Sequence, residues 1–359
     1  GRYICPFLKR LSDNKIIQSK KKHMIRLKLI FLLLILYSTN GIAQVEQLEI
    51  AAYTFSIHPK VGTPSGHSRT GHKIEEVYGD LKNTLILFRQ GDKKLCLFTS
   101  PLGIERGAFH DYCVNELSKK LGIPLEAIVT NSSHNHTIPF PDVRDVPMPE
   151  KGSSAYLTWE LGREFRREFS KAADEVSSKL KPVSVEWGVA EENRITYNRK
   201  GVRLDGTTYF MREEDRLNLK GEGYHGLIDP DAGVVIFKDN DAKPVAAISF
   251  FTGHPVAAYS PEKMISYGQF PQEASEILSK HLGGIPVAFV QGCGGNINAK
   301  HMLTGTIEQA RELGEQLGES FIVAANNLKP SKRIGLEWSR EQVKIPLSEL
   351  PDEKSLKKD

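Results

Sequence analysis

"GVVIFKDNDAKPVAAISFFTGHPVAAY" occupies residues 233–259. Two runs rich in Val, Ile and Phe, near 233–238 and 244–251, flank the turn pair Asn240-Asp241. Such runs around such a pair predict two antiparallel strands. The second run ends in Gly253-His254-Pro255. "FPQEASEILSKHLGG" (270–284) then has helical spacing, and "IPVAFVQG" (285–292) is a short apolar run closed by Gly, the pattern of a buried strand.

The alternation continues in both directions. "VEQLEIAAYTFSIHP" (45–59) reads as a first strand, and "NTLILFRQGDKKLCLFTS" (83–100) as a hairpin around Gln90-Gly91-Asp92. "GIERGAFHDYCVNELSKKLG" (103–122) has helical spacing and stops at Gly122, and "IPLEAIVTNSS" (123–133) is a short strand. A long polar helix is expected near 153–180, a strand near 183–190, and another helix over "TIEQARELGEQLGESFIVAANNL" (306–328). Alternating elements predict an α/β fold, a layered mixed sheet with flanking helices. "GLEWSREQVKIPLSELPDEKSLKKD" (335–359) reads as a strand, Pro351 and the first residues of a new helix, as if the domain were incomplete at that end.

Not all 359 residues are expected to belong to the fold. "HMIRLKLIFLLLILYSTNGIAQ" (23–44) has a basic start, an apolar run from Leu29 to Tyr37, and small residues ending at Ala43. That is the three-part layout of a secretory signal peptide, cut near Ala43/Gln44. Residues 1–23 read as upstream leader, 24–43 as the signal, and 44–359 as a single domain, which predicts a secreted or periplasmic protein. The formal charge of +4 owes much to the Lys- and Arg-rich residues 1–28. No basic stripe interleaves with aromatics, which argues against a nucleic-acid partner. The later cysteines, Cys96, Cys113 and Cys293, are too few and odd in number for a disulfide framework. One bridge is compatible with them, and Cys293, between glycines, reads as packing.

Three apolar runs end in polar or glycine-rich turns: "EAIVTNSS" enters "HNHT", "VAAISFFTG" enters "HPVAAY", and "IPVAFV" enters "QGCGGNIN". Sites in open α/β sheets gather at the carboxyl ends of strands, and neutral imidazole is the commonest metal ligand. His134, His136 and His254 are therefore the leading candidates. Glu273 and Glu276 read as a solvated helix face, and His58, His67 and His72 as a surface loop. His225 and His301 have no spacing that supports a role.

These segments, in order, resemble the N-terminal catalytic domain of neutral/alkaline non-lysosomal ceramidases. "SSHNHTIP" is similar to the family's His–x–His segment, "YNRK" to its Asn-Arg turn, "IDPDAGVVIFKDNDAKPVAAISFFTGHPV" to its Asp-Pro strand pair and His-Pro turn, "FVQGCGGNIN" to its Gly-Asp loop, and "FSIHPKVGTPSG" to its first-strand segment. The resemblance implies Zn2+ as cofactor, with His134 and His254 as ligands, His136 as a hydrogen-bond donor to the reacting group, and Arg199 at the developing oxyanion. Gly295, Asn296 and Asn298 would form the substrate loop. The family's remaining ligands, a Glu and a Tyr, would lie beyond Asp359. Ser56, Gln269 and Asn296 stand where relatives often carry Asp, Asn298 stands at the loop Ser, and Ala299 at the Pro after it.

The implied function is that of a zinc-dependent amidohydrolase cleaving a linear N-acyl amide, in a ceramide-like sphingolipid or another amide, by metal-activated water. A metallo-esterase or other hydrolase of a non-lipid substrate, and a catalytically inactive binding relative, are the alternatives. The partner is a small-molecule or lipid substrate, compatible with transient contact at a membrane surface, and the oligomeric state stays open.

Overall fold

The computed structural model describes residues 46–65, 72–103, 107–202, 208–210, 224–225, 227–259, 263–332 and 334–346. The leader and signal readings, His67 and the helix expected after Pro351 fall outside them.

The β-rich runs form two five-stranded sheets. The first has the order β5-β4-β3-β1-β6, from β1 (Glu49–Ile57), β3 (Leu81–Gln90), β4 (Lys93–Ser100), β5 (Ile128–Ser132) and β6 (Lys181–Pro182). The second runs β15-β13-β12-β7-β17, from β7 (Ser184–Glu191), β12 (Asp231–Lys238), β13 (Pro244–Phe251), β15 (Val287–Gln291) and β17 (Lys329–Pro330). Both are mixed: β4 pairs parallel with β5, β13 pairs parallel with β15, and the other pairs are antiparallel. The expected hairpin is β12–β13, closed where the Asp239 amide donates to the Lys243 carbonyl at 2.9 Å.

Side chains alternate faces along a strand, and the burial follows that period. Ile86, Phe88 and Leu97 from the first sheet meet Phe237, Ala246 and Ala288 from the second in one cluster. The opposite face of the first sheet, through Leu85, Leu87, Cys96 and Phe98, packs on helices α1 (Gly107–Leu121) and α2 (Ser154–Ser178). The opposite face of the second, through Val234, Ile236 and Phe289, packs on α3 (Gln269–His281) and α4 (Ile307–Ala325). The layers are therefore helix, sheet, sheet, helix. Each sheet is covered on both faces, so its central strands are apolar at nearly every position; seven of the ten residues of β3 are buried.

The helices show the expected periodicity. α1 buries Phe109, Cys113, Leu117 and Leu121, each one turn after the last, and Gly122 follows at φ 61°. α2 is capped by Ser153, whose hydroxyl accepts from the Tyr156 amide at 3.1 Å. α4 opens on a capping box between Thr306 and Gln309. Such caps contribute about 1 kcal/mol each. Shorter ladders lie beside the sheets: β2 (Glu76–Tyr78) with β14 (Ile265–Tyr267), β8 (Thr196–Asn198) with β16 (Ile297–Ala299), and β9 (Lys200–Val202) between β10 (Thr208–Phe210) and β11 (Tyr224–His225). Among the described residues no helix is long and apolar enough to cross a membrane.

The expected layered mixed sheet with flanking helices is present as two stacked sheets. Three other expectations are corrected. Residues 334–346 form no strand; Val343 and Ile345 are exposed and bury against no surface among the described residues. Glu273 and Glu276 are not a solvated face: Glu273 accepts a hydrogen bond from the Tyr267 hydroxyl at 2.7 Å, and Glu276 pairs with Lys82 at 3.1 Å. Cys293 is exposed, whereas Cys96 and Cys113 are buried, and all three are free thiols.

Candidate metal centre

β5 and β15 are the edges of their respective sheets, and the two edges meet. The Gln291 amide donates to Asn131 Oδ1 at 2.8 Å, and Asn131 Nδ2 donates to the Gln291 carbonyl at 3.2 Å. One side-chain amide thus imitates a backbone pairing across the junction. The carboxyl ends of β5, β13 and β15 open into one cleft of about 350 Å³ there.

The chain leaving β5 is held beside the chain leaving β4. Ser133 donates to the Ser100 carbonyl at 3.0 Å, and His134 to that of Leu102 at 3.1 Å. Gly103 is required at this contact, because a Cβ there would lie 2.7 Å from the Asn135 carbonyl oxygen. His134 has φ 65°, a left-handed conformation costing a non-glycine residue about 1–2 kcal/mol. It persists because its neighbours are pinned. Asn135 is buried, donates to the Tyr267 carbonyl at 2.6 Å, and accepts from the Thr137 amide at 2.8 Å and the Thr137 hydroxyl at 2.9 Å. Asn135 points into the protein while the histidines on either side of it stand together.

His254 leaves β13 and joins the short ladder. Its amide donates to the Ile297 carbonyl at 2.8 Å, and its carbonyl accepts from Ala299 at 3.2 Å. β16 pairs with β8, and the Arg199 amide donates to the Asn296 carbonyl at 2.8 Å. The ladder therefore carries His254, Asn298 and Arg199 in adjacent rows.

The result is a group of three imidazoles. Ligand nitrogens of His134, His136 and His254 all lie within 4.8 Å of one another, and Nε2 of His254 is 2.9 Å from Nε2 of His136. Burial is the largest influence on His254 and pushes its pKa down to about 3, with the charges of His134, His136 and Arg199 acting in the same direction. Burial also lowers His134, against a hydrogen bond from its ring to the Gly103 backbone that favours its charged form. Both shifts favour the neutral ring, the form that coordinates metal. His254 Nδ1 is buried with no partner of normal hydrogen-bond geometry, although the Gly294 backbone favours a proton on that ring. All three candidate donors are imidazole nitrogens, a set that suits zinc.

Arg199 faces this group. Its Nη1 donates to Asn298 Oδ1 at 3.3 Å and its Nη2 to the Gly295 carbonyl at 2.6 Å. Its guanidinium lies 5.3 Å from the Phe210 ring centroid. Partial burial lowers its pKa, and no carboxylate forms a salt bridge with it among the described residues. Two of its five N–H donors are committed to these neutral acceptors. A half-buried cation without a counter-charge is a candidate for anion stabilisation.

The sequence-predicted residues thus separate into groups. His134, His136 and His254 come together. Arg199 stands beside them, with Gly295 and Asn298 holding its guanidinium and the exposed Asn296 holding its backbone. Asn298 is wholly buried and does not line the cleft. His58 is on the surface, bonded to Glu164 at 2.7 Å, His72 is exposed and His301 partly buried. The side chain of His225 lies outside the described set. Asn131, Asn135, Gly103 and Gln291 were not anticipated. The one signal for Asn135 was its place between two histidines, since alternate residues of an extended segment face opposite ways.

No protein-family model matches the chain, and no curated protein matches it. Among solved structures it is similar to a neutral ceramidase from Pseudomonas aeruginosa, with a TM-score of 0.59 and 17% identity, covering 78% of this chain and 45% of that one. It is also similar to a ceramidase complexed with C2, with a TM-score of 0.59 and 16% identity, covering 78% and 44%. At that identity the likeness is one of fold: the chain contains a neutral ceramidase-like α/β domain. It spans less than half the length of either structure.

Proposed function

We propose that this domain is the metal-binding domain of a secreted or periplasmic zinc-dependent hydrolase that cleaves an N-acyl amide. The observation that carries the reading is the convergence of three imidazoles from the carboxyl ends of β5 and β13, beside a cation with no salt bridge among the described residues. His134 and His254 would hold the zinc. His136, with its Nε2 against that of His254, is in the same donor set, so we assign it as the third ligand in place of the hydrogen-bonding role the family resemblance implies. When bound, zinc supplies a water of lowered pKa and polarises the acyl carbonyl.

The protein's own groups do the rest. The Gly103 and Gly294 backbones would orient the His134 and His254 rings, since such outer contacts fix a ligand's tautomer and aim. Arg199, clamped by Gly295 and Asn298, would face the oxygen that gains charge as the amide carbon becomes tetrahedral, a donor worth most in that state. The cleft between β5 and β15 would hold the group attached to the carbonyl.

The test is hydrolysis of N-acyl amides by the purified protein, measured as released amine. Activity should disappear on treatment with a chelator and return with zinc. Ester hydrolysis without amide hydrolysis would move the assignment to a metallo-esterase. Retention of zinc with no hydrolysis of either class would leave a binding protein.

A further inference from the structure

From the lining of the cleft we infer that the group it receives is short and polar, a hydroxyl- or amide-bearing portion of the substrate, and not a long alkyl chain. This deepens the proposed function and rests on it. One wall is Thr130, Asn131 and Ser132; the other is Gln291 and three glycines of the loop that follows; His134 and His254 complete the lining. Apart from the two imidazoles, none of the described residues that line it is aliphatic or aromatic. Ligand pockets for apolar groups are lined mainly by hydrophobic and aromatic side chains, and this one presents hydroxyls, carboxamides and bare backbone.

The wall is also fixed. Both ends of the Asn131 amide are committed to the Gln291 backbone, so Asn131 cannot turn its polar atoms away. Gln291 Oε1 is buried and has no hydrogen-bond partner among the described residues. Rotation of the Gln291 side chain, which lines the cleft, would present this acceptor to a ligand N–H or O–H. An alkyl chain would strip water from the Thr130 and Ser132 hydroxyls without replacing its hydrogen bonds, a penalty per group that exceeds the gain per methylene buried. The opposite side of the cluster offers no alternative. The void between His136, Thr137, Tyr259 and Ile265 is about 10 Å³, room for about one water.

Calorimetric titration of the zinc-loaded protein with straight-chain acyl hydroxamates of two to eight carbons tests this without turnover. The inference predicts dissociation constants within about threefold across the series. It also predicts a 3-hydroxybutyryl hydroxamate at least tenfold tighter than the unsubstituted four-carbon compound, with Gln291→Leu abolishing that preference. An affinity rising about fourfold per added methylene, the step expected for an apolar wall, would overturn it. So would failure of every member to bind a protein shown to hold zinc. The wild-type series decides the matter even if Gln291→Leu does not fold. A flat, polar-preferring series in a protein that hydrolyses no amide would keep this inference and remove the proposed reaction.

Discussion

Asn131→Ala should loosen the junction of the two sheets. The wild-type amide makes two hydrogen bonds to the Gln291 backbone, at 2.8 and 3.2 Å. Each such bond contributes about 0.5–1.5 kcal/mol net, and a partner left buried without a replacement costs about 1–3 kcal/mol. Gln291 lines an open cleft, so water reaches the freed groups in part and the cost falls toward the lower range. The expected loss is about 1.5–3 kcal/mol, read as a lower urea midpoint at unchanged slope. Asn131→Asp separates the two bonds. A carboxylate still accepts from the Gln291 amide but faces the Gln291 carbonyl with a second acceptor, so it should be at least as destabilising at neutral pH. Protonation restores a donor, and the deficit of Asn131→Asp relative to wild type should shrink below about pH 4. A change under about 0.5 kcal/mol for Asn131→Ala would refute the staple.

Arg199→Ala should keep its zinc and lose turnover on the order of a hundred- to a thousand-fold with little change in the Michaelis constant; unchanged specific activity in the folded fraction would make Arg199 a purely structural clamp. Gly103→Ala puts a Cβ against the Asn135 carbonyl oxygen, must displace the His134 loop, and should weaken zinc binding about tenfold or more in a competition assay although no ligand is altered. Burial alone would raise the carboxyl of Glu192, but the hydrogen bonds from Arg194 and Ser320 outweigh it and hold it below its usual range. That pair therefore stabilises the fold above the ordinary Glu value of about 4.3, and the contribution disappears as pH falls through the lowered one. Glu192→Gln should flatten this acid limb of the stability profile, and an identical limb in the variant would remove the pair from the account.

Much of the fold could be read from residue order because its signals are local. Asn240-Asp241 marks a turn whatever surrounds it, and Phe109, Cys113, Leu117 and Leu121 repeat at one turn of a helix. The division into two sheets could not be read, because β3 and β13 are apolar on both faces and such a strand does not say which neighbour each face meets. "VKIP" mimicked a strand because alternation is also found in segments that bury nothing. His134 and His254 were legible from their place after apolar runs. Asn131 and Asn135 were not: an amide in a polar loop looks the same whether it faces water or bonds Gln291 and Tyr267, and those partners are more than a hundred residues away. Cys293 was misread because flanking glycines suggest close packing but do not require it.

Zinc content after exhaustive dialysis, measured on the wild type and on His134→Ala, His136→Ala and His254→Ala, bears most directly on the central claim. The account predicts about one zinc per chain in the wild type and loss of most of it in each variant, His136→Ala included, with the melts of zinc-free samples nearly superimposable. A wild type that takes up no zinc, or histidine variants that retain it in full, would contradict the metal centre itself; retention by His136→Ala alone would return His136 to the role of hydrogen-bond donor.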